Sequence, residues 1–256
     1  MSFFLFQDYF KVYLLECNQW RGDSIKKYRN EWKYNLTNRE LSLLKSRLSK
    51  VMNLDSHTKE SGSYVIHSLY FDDYKDMSVY TTEAGLSKRF KWRIRYYDED
   101  LSYIVLEKKE KLNSRCHKKS TKITQDEYQK IVNSNITDIL YDTNKKLIKE
   151  LAKDILLYNY KPKVIIDYER IAYVEDITNV RITFDMKISA SYDLEHFLNG
   201  DYIKYYINSS GYNILEVKFD YILPSYIRKI IESYGFRQTS FSKYYYGRRI
   251  LDSYLR

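Results

Sequence analysis

Seven stretches of the chain carry the alternation or the residue types of β-strands. In residues 28–34, Arg29, Glu31 and Lys33 alternate with Trp32 and Tyr34. In 89–97, Arg89, Lys91, Arg93 and Arg95 alternate with Phe90, Trp92, Ile94 and Tyr96. Residues 103–109 set Glu107 and Lys109 against Ile104 and Leu106. Residues 180–185 set Arg181, Thr183 and Asp185 against Val180, Ile182 and Phe184, and 214–219 set Glu216 and Lys218 against Leu215, Val217 and Phe219. Successive side chains of a strand point to opposite faces, so each of these five has one apolar and one ionic side. Residues 64–72 and 162–174, rich in Val, Ile and Tyr, also predict strands.

Helical spacing appears between them. Thr37 with Glu40, and Thr124 with Glu127, are capping boxes, in which the threonine oxygen takes a backbone N–H and the glutamate reaches back to the cap. Leu41, Leu44, Leu48 and Val51 follow the first; Tyr128, Ile131 and Val132 follow the second. Leu147, Ile148, Leu151, Ile155 and Leu156 predict a third helix, and Pro224 in a first turn before Ile227, Ile230 and Ile231 predicts a fourth. The N-terminal stretch around Phe3, Phe4, Leu5 and Phe6 lacks a basic start, and Gln7 and Asp8 interrupt it, so residues 1–27 predict an apolar helical segment docking on the body rather than a signal peptide. No linker or repeat divides residues 28–256, which predict a single domain.

The strands and helices together predict an α+β protein. Helices packed on the apolar sheet face bury both sets of apolar residues. The ionic faces then point away from the helices. They meet solvent, or they line a lumen if enough antiparallel strands close on themselves.

Composition narrows the partner. The chain has 256 residues with 43 Lys and Arg against 34 Asp and Glu, a formal charge of +9, which suits a polyanion. Only 7 Gly and 2 Pro exclude collagen-like, Pro-rich and Gly-rich phosphate-loop designs. The 29 tyrosines accompany abundant Ile and Lys, as AT-rich codons would produce, and the Tyr-rich stretch 202–206 reads as packing. No apolar run reaches a membrane span. Cys17 and Cys116 form no metal or redox motif, in keeping with a reducing cytoplasm. His57, His67, His117 and His196 lack zinc spacing, and there is no P-loop, dinucleotide fingerprint or nucleophile elbow. Single-strand nucleic-acid binding needs aromatics on the basic face, whereas here they alternate to the opposite one. Electrostatic phosphoryl transfer remains, with cations around the transferred group and carboxylates for a metal.

The ordered motifs carry a resemblance. They run Arg29-x-Glu31-x-Lys33-Tyr34, Ser68-Leu69-Tyr70-Phe71-Asp72, Arg93-x-Arg95-Tyr96-Tyr97 and Leu106-Glu107-Lys108-Lys109. They continue through Tyr168-x-Arg170-x-Ala172-Tyr173, Arg181-x-Thr183-Phe184-Asp185, Leu215-Glu216-Val217-Lys218 and Phe241-Ser242-Lys243-Tyr244. From about residue 28 to about 246 this series resembles the VTC domain, the polyphosphate-polymerase domain of the vacuolar transporter chaperone complex and its stand-alone bacterial relatives. That domain belongs to the triphosphate tunnel metalloenzymes.

The resemblance implies a closed antiparallel eight-stranded β-barrel tunnel with helices outside. It implies transfer of the γ-phosphate of ATP to a growing polyphosphate chain, with Mn²⁺ or Mg²⁺ and without duplex nucleic acid. Lys33, Arg93, Arg95, Lys109, Arg170, Arg181, Lys218 and Lys243 fall where the family's phosphate ligands lie, and Glu216 at its metal carboxylate, with Glu107 and Glu31 as further metal candidates. Arg29, Arg89, Lys91, Ser242 and Lys118, the last beside His117 and Lys119, are candidate substrate contacts. Many triphosphate hydrolases of the superfamily carry Glu-x-Glu-x-Lys on the first strand. Arg29 replaces the first Glu here, which favours the VTC branch. A hydrolase of triphosphate or short polyphosphate, and a binding module without turnover, are the alternatives. The membrane-spanning and SPX segments of the eukaryotic proteins do not appear, so export through this chain is not expected.

Overall fold

The computed structural model describes residues 28–58, 62–113, 115–207 and 211–254. The predicted helical segment 1–27 lies outside the described residues. Ten strands form one antiparallel sheet: β1 (Arg29–Leu36), β2 (Asn53–Leu54), β3 (Tyr64–Asp72), β4 (Lys88–Tyr97), β5 (Asp100–Leu112), β6 (Arg115–Ile123), β7 (Lys161–Glu175), β8 (Val180–Ser191), β9 (Tyr205–Tyr206) and β10 (Asn213–Phe219). The seven described α-helices are α1 (Asn38–Leu48), α2 (Met77–Glu83), α3 (Gln125–Val132), α4 (Ile136–Asp142), α5 (Lys146–Tyr158), α6 (Ser225–Glu232) and α7 (Lys243–Tyr254).

Eight of the strands pair in the order β7-β3-β4-β5-β6-β1-β10-β8, and β8 pairs back onto β7, so they form a ring. The short β2 and β9 flank β7 and β8. The seam is the β1–β6 join, paired only at Arg29 with Cys116 and Asn30 with Arg115. Register shifts at Tyr70/Phe71, Arg95/Tyr97 and Asp167/Glu169 add the local bending that closing a sheet requires.

The apolar strand faces point outward and are covered by helices. Leu41, Leu44 and Leu48 of α1 and Ile227 and Ile231 of α6 pack on Leu215, Val217, Ile182 and Phe184. Tyr128 and Ile131 of α3 and Leu147, Ile148, Leu151 and Ile155 of α5 pack on Trp92, Ile94, Leu106 and Ile123. Both capping boxes form as expected. Val51, expected on the first helix, lies past its end and is exposed; Leu156 is exposed on α5; Pro224 is the cap rather than a first-turn residue.

A third cluster lies inside the ring. There α7 packs on Ile166, Tyr168, Ala190 and Ile214 through Tyr244 and Leu251, and so closes off part of the interior. Gly247 makes this possible: a Cβ there would stand 2.2 Å from Ile166 Cδ1 and 3.3 Å from Ala190 Cβ. Among the described residues no helix is long and apolar enough to cross a membrane.

Candidate functional site

The strand alternation decides what faces inward. In β4 the outward Trp92, Ile94 and Tyr96 are buried beneath helices, so Arg89, Lys91, Arg93 and Arg95 turn into the ring. The same parity brings Glu31 and Lys33 of β1, Lys109 of β5, Lys118 of β6, Arg170 of β7, Arg181 of β8 and Glu216 and Lys218 of β10 to one cavity of about 1670 Å³. Arg29, Ser242 and Lys243 also line it. Every candidate from the sequence is therefore at this cavity except Glu107. The lining holds fourteen Lys and Arg against five Asp and Glu, so the interior is strongly cationic.

The charges fall into three connected groups. In the first, Glu31 and Glu216 stand together. Lys109 Nζ lies 2.7 Å and Lys33 Nζ 3.1 Å from Glu31, while Lys218 Nζ is 3.2 Å and Arg170 Nη2 3.5 Å from Glu216. In the second, Glu107 is 1% exposed, receives Arg93 Nε at 2.6 Å and Lys118 Nζ at 2.8 Å, and lies 3.6 Å from Arg95 Nη1. In the third, Asp185 accepts two bonds from Arg170, at 2.6 and 2.8 Å, and one from Lys243 at the start of α7. Arg170 thus joins the first group to the third.

Further contacts fix the remaining candidates and the segment before α7. Arg181 pairs with Asp55 and reaches Tyr64 Oη at 3.1 Å. Lys91 Nζ donates to Ser242 Oγ at 2.7 Å, and Lys33 Nζ to the Phe241 carbonyl at 2.7 Å, which ties the segment before α7 to the cationic wall. Arg29 is held by Asp220 at 2.9 Å and by the Asn179 carbonyl, and Arg89 by the Leu86 carbonyl.

Burial and charge oppose each other here. Burial and the neighbouring Glu31 push the Glu216 carboxyl up, but Lys218 and Lys33 outweigh them and hold it at about 2. Burial also raises Glu31, yet Lys109, Lys33 and Lys218 keep it well below the usual carboxylate range. Burial pushes the Lys218 ammonium down to about 8 despite Glu216 and Glu31. Burial, reinforced by Lys33 and Arg89, holds Lys91 well below an ordinary lysine. Both central carboxylates are therefore anionic at neutral pH.

Glu31 and Glu216 fit a hard divalent cation. Magnesium is commonly held by one or two carboxylates, with substrate phosphates completing the sphere. Opposite Glu216 on β8, the Thr183 hydroxyl is buried without a hydrogen-bond partner and offers another oxygen. Glu107 is engaged by its own three cations. No group of three or more His, Cys, Asp or Glu among the described residues is arranged to hold a metal ion.

Among the interior residues not singled out as site residues from the sequence are four that bear on the charge groups. Asp185, Thr183 and Tyr168 share inward parity with Arg181 and Arg170, so the alternation carried their signal. Tyr168 Oη receives Arg95 Nη2 at 3.1 Å, and its ring lies beneath Lys243 and Arg170. Tyr70, which accepts from Arg93 Nη1 at 3.0 Å, sits on a strand whose tyrosines hide the alternation.

Solved structures that share this fold include two proteins described as cyclases. A proposed adenylyl cyclase from Hippeastrum, described as having a dominant triphosphatase activity, aligns with a TM-score of 0.54 at 15% identity, over 86% of this chain and 95% of that one. A proposed adenylate cyclase from Bacillus halodurans aligns with a TM-score of 0.50 at 12% identity, over 84% of this chain and 94% of that one. No curated protein matches the sequence. The family model of the VTC domain matches residues 28–252, and the chain belongs to that family.

Proposed function

We propose that the protein transfers the γ-phosphate of ATP to the end of a polyphosphate chain threaded through the ring, which acts as a tunnel. The observation that carries this reading is the Glu31–Glu216 pair ringed by Lys33, Lys109, Lys218 and Arg170 in the cationic cavity within the ring. A triphosphate and an acceptor chain repel each other strongly. Cations from several strands lower that repulsion and hold the reacting atoms in line.

In the reaction, a terminal oxygen of the polymer forms a bond to the γ-phosphorus. The bond from that phosphorus to the β,γ-bridging oxygen breaks, and ADP keeps the electron pair. Glu31 and Glu216 would hold Mn²⁺ or Mg²⁺, which neutralises phosphate oxygens. Arg93, Arg95 and Lys118, preset by Glu107, and Arg170 and Lys243, preset by Asp185, are fixed donors for the phosphates. Hydrolysis uses the same groups with water as acceptor, and the triphosphatase activity of the Hippeastrum protein makes it the second reading. Arg29 stands where a further carboxylate would favour it, which supports synthesis.

Incubation with γ-labelled ATP and Mn²⁺ or Mg²⁺ tests this. Label in polymer together with ADP is expected. Label released entirely as orthophosphate would establish hydrolysis, and polyphosphate binding without ATP loss would establish a binding module.

A further inference from the structure

Exposed apolar side chains scattered singly need no explanation, but four of them gather around the start of β1. Arg29, where β1 begins, donates to the Asn179 carbonyl in the β7–β8 turn and lies 2.9 Å from Asp220, just past β10. Asn30 Nδ2 donates to the Asp220 carbonyl at 2.8 Å, and Asn179 Nδ2 to the Asp220 carboxylate at 3.0 Å. The two loops joined by this clamp carry Ile177, 94% exposed, and Tyr221 and Ile222, 87% and 78% exposed. Tyr226, 45% exposed in the first turn of α6, stands close enough to Glu175 at the end of β7 for that carboxylate to add to burial in raising its phenol. The rim of the patch is acidic. Asp176 is exposed, and Glu175 accepts from the Ile177 and Thr178 N–H groups at 3.2 and 2.9 Å. Arg228 on α6 is already paired with Glu232 at 2.6 Å.

Residues 1–27 join the ring at this place. Tyr28 still lies on it, its centroid 5.6 Å from that of His117. Ten of the fourteen residues from Ser2 to Leu15 are aromatic or aliphatic, and Lys26 and Lys27 come just before β1. Leu15 is fourteen residues from Arg29, a length that spans up to about 45 Å when extended. The apolar stretch therefore reaches a patch that starts at Arg29 with chain to spare. We propose that residues 1–27 cover this patch, with the apolar stretch on Ile177, Tyr221, Ile222 and Tyr226 and with Lys26 and Lys27 beside Glu175 and Asp176. Contact between the two apolar surfaces removes both from water, and opposite charges meet at the rim. The exposed apolar cluster at the end of α5, Leu156, Leu157 and Tyr158, suits this segment less, because in the chain it lies between Lys153 and Lys161, which repel Lys26 and Lys27. Arg29 also lines the cavity, so the covered patch borders it.

Photo-cross-linking in the full chain tests this. Tyr221→benzoylphenylalanine is prepared as isotopically light and heavy chains, mixed equally and irradiated, and the linked peptides are mapped by mass spectrometry. Links from position 221 to peptides of residues 1–27, each within a single isotope, are expected. Links of mixed isotope would give the patch to a second copy and overturn the inference. Links only to residues beyond 27, or none, would also overturn it, as would capture of residues 1–27 by Leu157→benzoylphenylalanine instead. The double variant Ile177→Asp, Ile222→Asp gives a second readout. Native-state tryptic cleavage at Arg21 and Lys26 is expected to quicken about tenfold or more, while tripolyphosphate affinity, which reports an intact ring, changes less than about twofold. A cleavage rate equal to that of the unaltered protein would overturn the inference. So would sedimentation of the unaltered protein with mixed phosphatidylcholine and phosphatidylserine vesicles that the double variant loses, which would assign the patch to a lipid surface.

Discussion

Glu216 and Lys218 are neighbours on one strand face with separate tasks. Glu216 meets Lys218 and Arg170 and shares its surroundings with Glu31, whereas Lys218 faces the cavity with its charge weakened by burial. Glu216→Gln keeps the shape and removes the charge a divalent cation needs. Turnover is expected to fall about a hundredfold or more, since a metal supplies several kcal/mol of charge stabilisation. Metal-free tripolyphosphate binding should be retained or tightened. Wild-type turnover of this variant at limiting Mn²⁺ would remove the metal assignment. Lys218 gives a pH signature. Its amine loses its proton as pH rises through about 8, but a bound polyanion favours the charged form. Binding therefore takes up a proton above that pH, and affinity declines. Lys218→Arg stays charged, so the ratio of wild-type to variant tripolyphosphate affinity should fall across that range. A constant ratio would contradict the titration.

At the scale of elements, α7 joins packing to chemistry. Its Lys243 meets Asp185, its Tyr244 donates to the buried Asp72 at 2.6 Å, and its Arg248 bonds Asp76 at 2.8 and 3.1 Å. Gly247→Val drives a branched side chain into Ile166 and should cost about 1–3 kcal/mol in urea unfolding, with weaker tripolyphosphate binding as Lys243 shifts. Unchanged stability would mean that α7 does not pack so closely. Asp185→Asn leaves Arg170 and Lys243 without their buried counter-charge and should cost about 3–5 kcal/mol at neutral pH. Burial raises the Asp185 carboxyl, but Arg170 and Lys243 hold it at about 2, below its unfolded value of 3.8. Its stabilisation is complete above the unfolded value and is lost as pH falls through about 2, so the variant's deficit should shrink in acid. A deficit independent of pH would assign the loss to shape rather than charge.

Over the whole molecule, the period-two strands were legible because one face of each is apolar and covered. β6 was not: Arg115, His117, Lys119 and Thr121 alternate with Cys116, Lys118 and Ser120, polar on both sides, so it read only as a charge run. α7 was hidden by Tyr244, Tyr245 and Tyr246, which give no single stripe. The site was legible as a list of inward cations. Its grouping was not, because pairing Glu31 with Glu216, and Glu107 with Arg93 and Lys118, depends on which strands become neighbours in the ring. Asp185 reads as one more charge on an ionic face until its partner Lys243, 58 residues on, is brought beside it.

Threading of a polymer requires that these cations be enclosed by the ring rather than spread over an open surface. A ring of about eight strands admits a thread-like phosphate chain and excludes a duplex. Bound polyphosphate should therefore be displaced by inorganic tripolyphosphate, whereas duplex DNA at equal phosphate concentration and near-physiological salt should leave it in place. Equal displacement by duplex DNA would contradict an enclosed site.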